Sequence, residues 1–424
     1  MFILIGVLFL AFCTGKETTE SAVDAKSTET PELTKIELLG KKIFFDTNLS
    51  EPPGQSCAGC HAPQVGWTGP IETINNAGSV HEGAVTGRFG NRKPPSAAYA
   101  GLSPTLHLED EEEIFVGGMF WDGRATGKTL GDPLAEQAMG PFLNPLEQNN
   151  PDKKSVVVKV KNSDYAALFE EVWGQGSLDV EEDVEGAYEK IARSIAAFER
   201  STEVNPYSSK FDVFWHKAKS AGKKVESIDA SNWQEYKNLG LTDEEVEGLM
   251  LFATKGKCAN CHVLTSGPSG EPPDFTDFTY DNLGVPKNTK NSFYTMPAEW
   301  NTQGAEWVDR GLGGFLETKE EYTEHASDNY GKHKVPTLRN VDLRPAEGFV
   351  KAYFHNGFAK SLKDVVRFYN TRDIKDWPAP EVKENVNKEE LGDLGLSERE
   401  EDLVVLLMKT LSDGFISAQE KTSK

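Results

Sequence analysis

Two short motifs in this chain combine residue types and spacing that point to one chemistry. Residues 57–61 read CAGCH and residues 258–262 read CANCH. Two thiols three residues apart can add to the two vinyl groups of one porphyrin, and the histidine that follows then lies under the iron as its proximal ligand. Cys57, Cys60 and His61 therefore predict one covalent haem c, and Cys258, Cys261 and His262 a second. The rival is structural zinc held by the four cysteines, but zinc requires no histidine directly after each pair. With five cysteines and eight histidines in 424 residues, a chance C-x-x-C-H is expected at roughly 10⁻³. Only Cys13 remains outside the motifs, so no disulfide framework is left to build.

Something must position these motifs, and the surrounding pattern is helical. Residues 33–45 place Leu33, Ile36, Leu39 and Ile43 at helical spacing before the first motif. Residues 241–254 do the same before the second, with Val246, Leu249, Met250 and Ala253 as the stripe and Thr242 with Glu245 as a capping box. Gly40-x-x-Ile43-Phe44 and Gly248-x-x-Leu251-Phe252 also correspond, which makes the two halves similar units. Further helices are predicted over 164–173, 183–200 and 397–410. The second carries Val184, Tyr188, Ile191, Ile195 and Phe198 on one face, and the last offers Ser397 and Glu400 as a capping box. Strand patterns are few. The expected fold is mainly α, with two cytochrome-c-like domains (33–205 and 206–424), each binding one covalent haem, and long loops between helices.

Composition narrows the class. The net charge of −22 excludes a nucleic-acid binder, which needs a basic face, and suits a basic protein partner. Residues 1–12 form a signal segment, apolar or glycine throughout. Cys13 and the polar stretch to residue 32 then read as a lipidated cysteine and a flexible tether. That places the globular body outside the cytoplasm, with a membrane touched only through a lipid anchor.

Residues 119–147, MFWDGRATGKTLGDPLAEQAMGPFLNPLE, taken with the two C-x-x-C-H sites, resemble the bacterial di-haem cytochrome c peroxidase superfamily, which includes di-haem enzymes that oxidise tryptophan in partner proteins. FFDTNLS at 44–50, GWTG at 66–69, DNLGVP at 281–286, KVPTLRNV at 334–341 and YFHNG at 353–357 extend the likeness over most of the chain. The resemblance implies roles residue by residue. Trp121 matches the tryptophan between the haems, a relay for electrons. Gln137 and Glu147 match the distal residues of the peroxide-binding haem, and Pro141 the wall close above it. His81 is implied as a loop ligand to that iron in the resting enzyme, and His355 as a structural histidine. Tyr369 stands fourteen residues after His355, where the peroxidases carry a methionine and the tryptophan-oxidising members a tyrosine. It is therefore the expected sixth ligand of the C-terminal haem, opposite His262. Family members often hold calcium beside an asparagine before the first Pro-Thr. Here residues 91–96 read NRKPPS, so Lys93 stands in that slot and a cation there opposes calcium, although Asn91 could serve if the loop shifts.

The resulting expectation is a di-haem c-type peroxidase that reduces hydrogen peroxide with electrons from a small cytochrome c or cupredoxin. The alternatives are a long-range oxidase acting on aromatic residues of a partner protein, and a di-haem electron carrier without catalysis.

Overall fold

The computed structural model describes residues 32–415, except 110 and 112. The signal segment, Cys13 and the tether up to residue 31 lie outside the described residues. In chain order the helices are α1 (Lys35–Phe45), α2 (Cys57–Cys60), α3 (Glu72–Asn76), α4 (Pro133–Leu143), α5 (Lys153–Lys161), α6 (Ala166–Trp173), α7 (Val184–Glu199), α8 (Lys210–Ser220), α9 (Asp243–Ala253), α10 (Gly311–Leu316), α11 (Leu362–Thr371) and α12 (Glu398–Lys409). Two small antiparallel ladders complete the pattern, β1 (His107–Glu109) with β2 (Ile114–Val116) and β3 (Tyr280–Asp281) with β4 (His333–Lys334).

Local chemistry explains the helix ends. Thr34 with Glu37, Thr242 with Glu245 and Ser397 with Glu400 all form reciprocal capping boxes at the starts of α1, α9 and α12. Helix α6 begins at Ala166, later than the pattern of apolar residues suggests. Tyr165 leaves helical geometry and donates its hydroxyl to Asp46 Oδ2 at 2.7 Å.

The apolar faces gather into two main cores. One draws on α1, α5 and α7, with Leu39, Ile43, Val156, Tyr188, Ile191 and Phe198 buried. The other draws on α8, α9, α11 and α12, with Phe211, Phe214, Leu249, Val366, Val404 and Leu407 buried. The corresponding glycines explain how each core closes. A Cβ on Gly40 would lie 1.8 Å from the Ser194 carbonyl oxygen of α7, and one on Gly248 would lie 2.2 Å from that of Leu403 in α12. Helix α1 thus crosses α7, and α9 crosses α12, at backbone contact. Gly248→Ala is expected to force the α9/α12 crossing apart and destabilise the protein by about 1–3 kcal/mol. Chemical denaturation of the holoprotein reads this, and an unchanged midpoint would contradict it.

Charges join the segments carrying these cores. Arg339, in KVPTLRNV, is fully buried, donates to Asp212 Oδ2 at 3.0 Å and to the Pro273 carbonyl at 2.8 and 2.9 Å, and lies over the rings of Tyr99 and Tyr207 at 4.9 and 4.6 Å. Tyr99 in turn donates to Asp413 at 2.8 Å. A buried guanidinium held this fully fixes position, because breaking any partner leaves an uncompensated charge.

Candidate haem centres

The first motif forms the single-turn helix α2, and the second a short 3₁₀ turn at Cys258–Asn260. Each turn is followed directly by its histidine, held on a main-chain carbonyl. His61 Nδ1 donates to the Pro95 carbonyl at 2.9 Å, and His262 Nδ1 donates to the Phe275 carbonyl at 2.8 Å. Holding Nδ1–H in this way fixes the tautomer and leaves Nε2 as the lone-pair nitrogen for a metal. Burial lowers both imidazoles, His61 to about 4, so each is neutral near pH 7. The four thiols are free and stand where thioether sulfurs would be in the haem-bound protein. These observations fit two covalent haems. They also overturn the zinc alternative. Cys57 packs against one core and Cys258 against the other, and no cluster of potential ligands among the described residues brings the pairs together.

Beside the second motif lies a cavity of about 210 Å³ whose walls are mostly apolar and include Cys258, Cys261 and His262. Helix α11 lines it with Leu362, Val365, Val366 and Tyr369, the face read from its sequence. Ser361 caps that helix by accepting from Asp364 N–H. Tyr369 stacks on Phe354 with centroids 6.4 Å apart and planes 11° apart. Burial, then the neighbouring Cys261, Asp281 and Cys258, raise its phenol far above the usual range. Met408 of α12 lines the same cavity and is the thioether within it. Cys258→Ser/Cys261→Ser is expected to leave one covalent haem, on Cys57 and Cys60. Pyridine haemochrome counting checks this, and two covalent haems in that variant would contradict it.

Around the first motif the structure assembles side chains from several segments. Glu147 follows α4 in the turn Asn144–Glu147, closed by a Glu147 N–H to Asn144 carbonyl bond of 3.0 Å. It is half-buried by accessible surface, yet its carboxyl is desolvated. That burial raises its pKa, opposed by Arg124 and by a hydrogen bond from Asn144. Burial raises the Cys60 thiol, and the Glu147 charge adds to this; the next residue, Gln148, reaches Cys57 Sγ at 3.8 Å. Gln137 and Pro141 lie on α4, both half-buried; the Gln137 amide makes no hydrogen bond, and the Pro141 carbonyl accepts from Gln148 N–H at 3.1 Å. His81 is buried, only 7% exposed. Its Nε2 is buried without a partner, and burial together with His61 and Lys93 lowers it to about 4.

Trp121 joins the two regions. Its indole N–H donates to the Lys93 carbonyl at 2.7 Å, and its own carbonyl accepts from Lys334 N–H at 2.9 Å. It lines the C-terminal cavity together with Pro95, whose carbonyl anchors His61. Next to it lies a network that sequence reasoning missed. Arg92 clamps Asp309 through Nε and an Nη at 2.6 and 2.7 Å and reaches Asp122 at 2.6 Å. His333 lies 3.4 Å from Asp309 and stacks on His355 at 3.5 Å. Gln55 and Gln148, which approach Cys60 and Cys57 at 3.4 and 3.8 Å, were also missed. So was Glu199, a buried carboxyl raised to about 8 by desolvation. The Arg92, Asp309, His333 and Gln148 contacts join segments distant in sequence, so no local pattern signals them. Calcium does not fit the slot beside Trp121: the Lys93 ammonium fills it, donating to Thr68 Oγ1 at 2.8 Å and to the Pro94 carbonyl at 3.0 Å.

A mainly helical chain with two C-x-x-C-His turns, each with an anchored histidine, defines a di-haem c-type protein. Residues 34–220 match the family model described as di-haem cytochrome c peroxidase. The chain is 32% identical over 390 residues to the methylamine utilization protein MauG of Paracoccus denitrificans (strain Pd 1222), covering 88% of each. It is 28% identical over 339 residues to the cytochrome c551 peroxidase of Nitrosomonas europaea, covering 80% of this chain and 73% of the relative. The crystal structure of the diheme peroxidase BthA from Burkholderia thailandensis E264 superposes with a TM-score of 0.70 at 27% identity, covering 92% of this chain and 90% of that one. The chain belongs to the di-haem cytochrome c peroxidase family. It is an oxidoreductase of the peroxidase class with two haem c cofactors and the mainly α, cytochrome-c-like fold of its relatives. Among the described residues no helix is long and apolar enough to cross a membrane.

Proposed function

We propose that this chain is an exported, lipid-anchored enzyme that cleaves hydrogen peroxide at its N-terminal haem site and stores or passes oxidising equivalents at its C-terminal one. The observation that carries this reading is the desolvated Glu147 carboxyl in the turn whose next residue, Gln148, reaches Cys57 Sγ at 3.8 Å. Bound haem supplies the redox chemistry, giving electrons to the O–O bond and recovering them from a donor. Glu147 takes the first proton of peroxide on a carboxylate oxygen and returns it to the leaving oxygen, a general acid–base role. The unengaged Gln137 amide orients the bound peroxide by hydrogen bonds, and Pro141 narrows the space above the iron. His81, buried and neutral, offers Nε2 to the same iron at rest. His61 and His262, each with Nε2 free, would hold the irons, and Trp121 would relay electrons between the haem sites. The donor is a small basic cytochrome c or cupredoxin, drawn by the net charge of −22.

Tyr369 favours a second reading, a long-range oxidase that draws electrons from aromatic residues of a partner protein. A tyrosine on the cavity wall beside Cys258, Cys261 and His262 supports it. Phenolate is a hard anionic donor and thioether a soft neutral one, so a haem held by His262 and Tyr369 would have a lower potential and would disfavour ordinary cytochrome c as donor. Stopped-flow mixing of the ferric protein with peroxide separates enzyme from electron carrier: a fast absorption change is expected, and none would leave only a carrier. On this second reading turnover of reduced cytochrome c is expected to be slow, and fast turnover would favour the first.

A further inference from the structure

A buried ammonium is normally matched by a carboxylate, because an unpaired charge removed from water is costly. Two lysines depart from this rule side by side. Lys93 is 9% exposed, and its Nζ donates to Thr68 Oγ1 at 2.8 Å and to the Pro94 carbonyl at 3.0 Å. Lys351 is 4% exposed, and its Nζ donates to three main-chain carbonyls, those of Val65, Asn340 and Leu343, at 2.9, 3.0 and 2.9 Å. Every acceptor is a neutral oxygen. Burial depresses the Lys351 ammonium, and the Lys93 charge adds to this.

Neutral oxygens turned inward on a small positive charge are the surroundings that a hard divalent cation gathers. Here they are satisfied by side chains of the protein itself. Their position gives them consequence. Lys351 ties Val65, four residues after His61, to Asn340 and Leu343 beyond the second motif. Lys93 N–H donates to the His355 carbonyl at 2.8 Å, and the Lys93 carbonyl accepts the Trp121 indole at 2.7 Å. Both lysines line the wall of the C-terminal cavity with Trp121.

We propose that Lys93 and Lys351 are built-in cations that take the place of a calcium ion at the junction between the haem sites. Lys93 is in addition the positioning residue for Trp121. A tethered ammonium cannot be chelated or exchanged, so this chain keeps its working geometry without a divalent metal. Replacing Lys93 by asparagine removes the charge, supplies one more oxygen and leaves the Thr68 and Pro94 oxygens facing a site that calcium can enter.

The test uses the holoprotein. Elemental analysis of wild type is expected to show no stoichiometric calcium, and EGTA is expected to leave its ferric absorption and EPR spectra unchanged. Lys93→Asn is expected to show altered spectra in EGTA, to take up about one calcium per chain in calorimetry, and to regain wild-type spectra when calcium chloride is added. One calcium per wild-type chain, or spectra that shift with EGTA, would overturn the proposal. So would Lys93→Asn protein with wild-type spectra and no calcium uptake. If that variant fails to assemble, the wild-type metal content and EGTA response still decide the matter.

Discussion

Glu147→Gln is expected to keep both haems and to lose roughly 10²-fold or more in its rate with hydrogen peroxide. The substitution preserves shape and hydrogen bonding but removes the group that accepts and returns the proton. The pH dependence follows from the same residue. Burial raises the Glu147 carboxyl, with Arg124 and Asn144 opposing it only in part. As pH falls through that raised value the carboxylate gains a proton and can no longer accept one from peroxide. The acid limb of the wild-type rate is therefore expected above the ordinary glutamate value of about 4.3, and it should vanish in Glu147→Gln. Stopped-flow rates across pH measure both effects. A variant as fast as wild type removes Glu147 from the chemistry.

With Tyr369 as the proposed sixth ligand, Tyr369→Phe is expected to alter the spin state of the C-terminal haem and to raise its potential by on the order of 100 mV, within the ~0.8 V that axial ligands span. The reason is the loss of an anionic donor that favours the ferric state. Met408 is the built-in control, because it is the thioether on the wall of the same cavity. Met408→Leu is expected to leave the EPR signature and potential of that haem unchanged. If Tyr369→Phe leaves ligation intact while Met408→Leu alters it, the sixth ligand is the methionine, and the long-range oxidase reading loses its support.

Much of the architecture was legible because it is local. A C-x-x-C-H turn needs five consecutive residues, and the reciprocal Thr242/Glu245 and Ser397/Glu400 caps need four each. The shared glycine of 33–45 and 241–254 could be seen as a correspondence; its purpose could not. That purpose is backbone contact between helices: a Cβ at either glycine would lie only 1.8 or 2.2 Å from a carbonyl oxygen on α7 or α12, which no local pattern reveals. The α11 face was legible for a similar reason: a period of 3.6 aligns Leu362, Val365, Val366 and Tyr369 before any partner is known.

By itself the sequence determined two covalent haem motifs, the helices that introduce them, and the tyrosine where a methionine might have stood. Spacing along one turn or one helix face carries that information, and the backbone enforces it wherever the segment folds. Tertiary structure alone decided what surrounds those motifs. It set His333 against His355 and Asp309, buried His81, and brought the Lys351 ammonium to the Val65 carbonyl, 286 residues away in the chain. Those contacts depend on which main-chain carbonyls and desolvated charges meet across the fold. A carbonyl oxygen has the same chemistry at every residue, so only its position can mark it.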